Sequence, residues 1–180
     1  IPKGHAQVEE TIEPEYIRTI QFKGTSAQSR LPIIELGQKL QLSFDDIIGN
    51  EADYFYTIAH FNFDWTPSDL SKGEYLDGFD DVRIETYENS FNTLQLYSNY
   101  KLSIPNRETR AIKKSGNYLL RIFNDDAEIV FSRKFMVLER VLSVEVEIKR
   151  SRIIKNIDQQ QVVQFKINSP NLLLINPKQN

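Results

Sequence analysis

Leu40, Leu42 and Phe44 alternate with Lys39, Gln41 and Ser43, a period of two that suits a half-buried strand and not a helix. Short runs of this kind, rich in β-branched and aromatic residues and bounded by Gly, Pro, Asn, Asp and Ser, recur along most of the chain at 16–22, 39–44, 54–65, 92–104, 115–123 and 128–138. Nowhere does an amphipathic helical period of about 11 residues with caps at both ends occur. Roughly seven strands with turn signals between them predict an all-β fold, an immunoglobulin-like antiparallel β-sandwich over residues 15–140, with a barrel as the rival.

The finer reading pairs 39–44 with 54–65. In the second run Phe55, Ala59, Phe61, Phe63 and Trp65 form the apolar face, and Tyr54, Tyr56, Ile58, His60, Asn62 and Asp64 lie opposite. Such a strand is covered on both sides at its start and becomes polar on one face toward its end. Residues 66–90, with Pro67, Gly73 and Gly78, read as a long, partly ordered loop. Asn124, Asp125 and Asp126 form the turn of an antiparallel hairpin between the last two runs. Residues 1–14, carrying Pro2, Gly4 and Pro14, are expected to be a flexible lead-in.

After Glu139 the pattern restarts. Leu142, Val144, Val146 and Ile148 alternate with Ser143, Glu145, Glu147 and Lys149, and Val163, Phe165 and Ile167 follow the same rule. With a further run at 172–175 these make about three strands, near the lower limit for an independent β-unit. Residues 141–180 are therefore expected to begin a second β-domain.

Composition narrows function more than it defines it. With 22 Lys plus Arg against 25 Asp plus Glu and a net charge of -3, the chain has no general attraction for nucleic acid or anionic headgroups. It contains no Cys, which removes disulfides, thiolate nucleophiles and Cys-based metal sites. No apolar run is long enough for a membrane-spanning helix, so direct membrane insertion by a helix is not expected. The start, Ile1-Pro2-Lys3-Gly4-His5, lacks the layout of a secretory leader; the chain is expected to be either not exported, already mature or trimmed.

Motifs that bring chemistry to mind read mostly as structure. His60, Asn62 and Asp64 stand at alternate positions and would share a strand face, as a metal or proton-transfer site requires. With one other histidine in the chain, His5, a polar ladder that ends the strand and caps the next turn is the better reading. The carboxylates at 64–69 and 77–81 lack the spacing of an EF-hand. Neither G-x-S-x-G, nor a phosphate-binding glycine loop, nor H-E-x-x-H is present. No catalytic residue, cofactor or metal is expected. Among the loop aromatics, Trp65 is expected to seal one end of the sandwich, while Tyr75 and Phe79 are more open to a sugar or a protein.

Five separated segments carry a resemblance. They are 60–70 (HFNFDWTPSDL), 74–79 (EYLDGF), 87–93 (YENSFNT), 115–120 (SGNYLL) and 133–137 (RKFMV), and together they resemble the plug proteins of the type IX secretion system of Bacteroidetes over roughly residues 15–140. The resemblance implies a non-enzymatic periplasmic protein, associated with the outer membrane, that closes the periplasmic mouth of a large outer-membrane β-barrel translocon. Members of that family are longer than this chain, which implies a further C-terminal portion. Tyr75, Asp77 and Phe79 are the expected partner contacts. The alternative is a carbohydrate-binding β-sandwich module using Tyr75 and Phe79 as stacking platforms.

Overall fold

A computed structural model of the chain describes residues 8–25, 31–140, 142–151, 153–156 and 158–168. It divides into two units, Ile1–Glu139 and Arg140–Asn180. The first is a β-sandwich, as the alternation predicts. One sheet has the order β1 (Ile17–Gly24), β3 (Leu40–Asp46), β8 (Ser98–Ile104), β7 (Tyr87–Asn89). The other has the order β2 (Ile33–Glu35), β11 (Ile129–Leu138), β10 (Gly116–Phe123), β4 (Phe55–Phe61), β6 (Val82–Arg83). A small two-stranded sheet joins β5 (Leu76–Gly78) to β9 (Thr109–Ile112). Neighbouring strands are antiparallel except β2, which runs parallel to β11.

Each sheet turns one side-chain set inward. Leu40, Leu42 and Phe44 of β3 are buried while Gln41 is exposed. Rings then lock the sheets face to face. Phe44 stacks on Tyr100 of its own sheet and meets Phe131 of the other edge-on, both at 5.2 Å between centroids. Phe22 and Phe135 make a second inter-sheet edge contact at 5.8 Å, and Tyr118 stacks on Phe135. Such pairs add specific geometry to a large buried apolar area.

Two expectations about the central strand are corrected. First, β3 pairs with β1 and β8, whereas β4 pairs with β10 and β6. The chain crosses from one sheet to the other through 47–54 instead of turning back on itself. Second, the core face of β4 carries Tyr56 and Ile58, continued from Tyr54, which are all buried. The run judged apolar points outward. Tyrosine can occupy the core because its hydroxyl finds a partner there: Tyr54 donates to Asp46 Oδ2 at 2.8 Å, and the Tyr56 hydroxyl lies 2.8 Å from Thr109 Oγ1. On the outer face only Phe61 is fully buried. Phe63 is exposed, because β4 has ended and the chain is already turning.

Residues 66–90 are more ordered than a loop. They hold a one-turn helix, α1 (Lys72–Tyr75), and the short strands β5, β6 and β7, each too brief to leave a periodic signature. The run expected at 92–104 is a strand only from Ser98, and β9 has no counterpart among the expected strands. The expected hairpin at 124–126 joins β10 to β11.

The outer edge of β11 is divided between two partners. Its C-terminal half pairs with β2, Met136 opposite Ile33. Its N-terminal half meets residues 10–13 of the segment expected as a lead-in. There Ser132 N–H donates to Thr11 O at 3.1 Å, Thr11 N–H donates to Ser132 Oγ at 2.7 Å, and Lys134 N–H donates to the Glu10 carboxylate. Arg133 binds Glu13 at 2.6 Å, and that bond holds the Glu13 carboxyl below its usual range.

In the second unit β12 (Ser143–Arg150) and β13 (Gln161–Asn168) form an antiparallel pair, with a 3-10 turn at Ile154–Asn156 between them. Val144 faces Ile167, Val146 faces Phe165 and Ile148 faces Val163, so the alternation read from the sequence becomes one apolar stripe. The expected strand at 172–175 lies outside the described residues.

Asp46 is fully buried, so removing its phenolic donor leaves a carboxylate oxygen short of a partner. Tyr54→Phe is therefore expected to lower stability by about 1–3 kcal/mol, read as a shift of the urea midpoint at unchanged slope.

Candidate functional site

The polar residues singled out in the sequence gather at the end of β4 and in the segment that follows it. At its start, His60 is held on both ring nitrogens: Nδ1 lies 2.8 Å from Ser68 Oγ and Nε2 3.4 Å from Ser115 O. Its ring packs against Tyr118 at 4.9 Å and Tyr75 at 5.6 Å. The backbone of Gly116 closes the remaining side at a φ of 146°, where a Cβ would overlap the imidazole.

Asn62 and Asp64 do not continue the strand face. Asn62 Nδ2 donates to Thr66 Oγ1 at 3.1 Å and to Pro67 O at 3.2 Å, while Asp64 Oδ1 accepts from Thr66 N–H and Oγ1. This is the polar ladder that ends a strand and ties its turn. The turn folds Trp65 back beside Phe61 at 6.3 Å, with the Lys134 ammonium 4.5 Å above the indole, a cation–π arrangement. Among the described residues no group of three or more His, Asp or Glu is placed to hold a metal.

Next comes α1, whose Glu74 carboxylate accepts from both the N–H and the hydroxyl of Ser71 at 2.7 Å. Those bonds lower the Glu74 carboxyl below its usual range and fix the first turn. Asp80 is turned inward, where it accepts from Ile58 N–H at 2.7 Å and pairs with Lys72 at 2.5 Å. Asp80 thus anchors the loop to β4.

The three expected contact residues occupy different environments. Tyr75 is 6% exposed, and its hydroxyl donates to Ile58 O at 3.2 Å; burial pushes the phenol up. It belongs to the core. Asp77 lies at the surface and binds Arg110 at 2.7 Å. Phe79 is 72% exposed, held out by two bonds to its backbone: Phe79 N–H donates to Glu108 O, and the Thr109 hydroxyl donates to Phe79 O. Gly78, at a φ of 97°, makes that projection possible, because a Cβ there would overlap the Glu108 carbonyl.

The outer face of the β1–β3–β8 sheet carries a shallow groove of about 370 Å³. Its polar lining of Gln21, Lys23, Gln41, Ser43, Lys101 and Ser103 has no aromatic platform. Leu94 and Leu96 fall within the strand expected at 92–104, and Phe91 within the 87–93 segment, where none of them was read as a contact. In the structure all three are exposed in the segment before β8.

These features define a β-sandwich whose conspicuous polar side chains serve turns and anchors. The profile of the type 9 secretion system plug protein 1st domain matches residues 17–139, and the chain belongs to that family. Membership ties it to type IX secretion. A crystal structure of a hypothetical protein from Parabacteroides merdae ATCC 43184 is similar to it, with 32% identity and a TM-score of 0.76. The match covers 93% of this chain and 43% of that one, so the chain spans less than half of that relative. No curated protein matches the chain. Among the described residues no helix is long and apolar enough to cross a membrane.

Gly116→Ala forces a methyl group against His60 and is expected to cost about 1–3 kcal/mol. In a double-mutant cycle, Gly116→Ala with His60→Ala should recover part of that loss; full additivity of the two unfolding free energies would show that the contact has no weight.

Proposed function

We propose that this domain is part of a non-enzymatic plug that seals the periplasmic mouth of the outer-membrane translocon barrel of the type IX secretion system. Its location is then periplasmic, associated with the outer membrane. The observation that carries the reading is the family match over residues 17–139. The physics of the domain is compatible with it. A plug must hold its shape against a wide aqueous opening, and cross-linked sheets with buried polar groups satisfied by hydrogen bonds provide rigidity without a reaction chamber.

Asp77 and Phe79 are the proposed contacts of the 76–81 segment, with Tyr75 supporting them from within. The carbohydrate-binding alternative loses force because Tyr75 is turned inward, leaving Phe79 without the second platform on which that reading relied. We also propose that 141–180 begins a second β-domain. The half-exposed apolar stripe of β12 and β13 supports this, as does the greater length of the Parabacteroides merdae relative.

Deleting the gene in a strain with an intact translocon is expected to admit large hydrophilic solutes across the outer membrane. Restoring the full-length gene should close the leak. Unchanged permeability in the deletion strain would overturn the plug reading. Full-length protein carrying Phe79→Ser and Asp77→Asn should fold normally, with stability within about 0.5 kcal/mol of wild type, and seal less well.

A further inference from the structure

Six strand ends converge at one end of the sandwich. β3 stops at Asp46 opposite Ser98, where β8 starts, and β7 stops at Asn89 opposite the same Ser98. Phe123, the last residue of β10, stands opposite Phe55 of β4 and Ile129 of β11. The connecting segments 47–54, 90–97 and 124–128 therefore share this end. Ile47 N–H, at the start of the first of them, donates to Tyr16 O at 3.0 Å.

The 90–97 segment is tied into one shape. Ser90 N–H donates to Tyr97 O at 2.8 Å, Tyr97 N–H donates to Ser90 Oγ at 2.9 Å, and Gln95 Nε2 donates to Ile47 O at 2.8 Å. Gly49 lets it lie close, since a Cβ there would sit 3.1 Å from that of Leu96. This ordered segment holds large apolar side chains in water. Phe91 is 92% exposed, Leu94 is fully exposed, and Leu96 and Ile48 are exposed beside them. Apolar side chains on a preorganised loop lose little entropy on binding, which is what a binding anchor requires.

The surroundings of this tip are mainly acidic; Lys72, which lines one surface pocket with Asp125, is paired to Asp80. Residues 45–54, 84–97 and 124–128 contain neither Lys nor Arg. Asp53 and Glu88 are paired to Arg83 and Lys101 on flanking strands, and Arg18 stands opposite Asp45. Glu51, Asp125, Asp126 and Glu128 are exposed and are not paired to any described Lys or Arg.

We propose that this end of the sandwich is a docking surface on which Phe91 and Leu94 enter an apolar recess rimmed by Lys or Arg on a protein partner. Complementary charge sets the choice of occupant. An anionic membrane would repel the acidic rim, and a second copy would bring like charges together. The inference rests on the plug reading, in which the partner is the translocon barrel.

The test uses full-length plug protein and the purified translocon barrel from the same organism, with affinity measured at low and at physiological salt. Wild type should bind, and more weakly as salt rises. Phe91→Ser with Leu94→Ser should weaken binding by about thirtyfold or more. Asp125→Lys with Asp126→Lys should weaken it further at low salt than at high. All these side chains are exposed, so unfolding midpoints should match wild type and separate lost contact from lost fold. If wild type binds and either double variant binds equally well, this inference falls and the plug reading stands. If wild type does not bind the barrel, both fall. Flotation of wild type with phosphatidylcholine–phosphatidylglycerol vesicles, abolished by Phe91→Ser with Leu94→Ser, would overturn the proposal in favour of lipid.

Discussion

Contact between Phe44 and Phe131 is the point on which the sandwich turns. Phe44 has a ring from its own sheet on one side, Tyr100, and rings from beyond it on two others, Tyr54 and Phe131. Rings packed this way resist sliding, because a displaced ring loses several partners at once. The same cluster decides the path of the chain. Tyr54 must reach both Phe44 and Asp46, so the segment after β3 crosses to the opposite sheet.

From this constraint the polar architecture follows. Burying tyrosines brings hydroxyls inside, and each needs a partner near the place where its ring packs. Asp46, Thr109 and the carbonyls of Ala52, Ile58 and Lys114 fill that need. Asp80 does the same for the Ile58 N–H. Among the described residues no buried side-chain nitrogen or oxygen lacks a hydrogen-bond partner. The acidic residues that look like chemistry in the sequence serve other ends: Asp64 ties its turn, Asp77 pairs with Arg110 and Asp80 anchors to β4.

Legibility in the sequence tracked the length of each pattern. β3, the β10–β11 hairpin and the β12–β13 pair were readable because they are one-sided or bounded by a clear turn. β4 misled because both of its faces are covered at the start, so alternation there cannot say which side is inside. The strands between Leu76 and Asn89 have two or three residues each, fewer than any period needs. Tyr75 and Phe79 illustrate the same limit at the candidate site: aromatics four positions apart in one motif enter opposite environments, the first at the end of α1 and the second after the bend at Gly78. Leu94 and Leu96 were hidden by a different effect, since apolar residues beside a strand are most simply read as its continuation.

The shared cover of β11 has a consequence for how such a domain behaves in a crowded compartment. An open strand edge is a template onto which another chain can add, and here one half is taken up by β2 and the other by residues 10–13. The second half is closed by a stretch that lies ahead of the first core strand. Protection of this edge thus depends on residues that contribute nothing to the interior, and a version trimmed to start at Tyr16 would keep the whole aromatic core while offering a sticky flank to its neighbours.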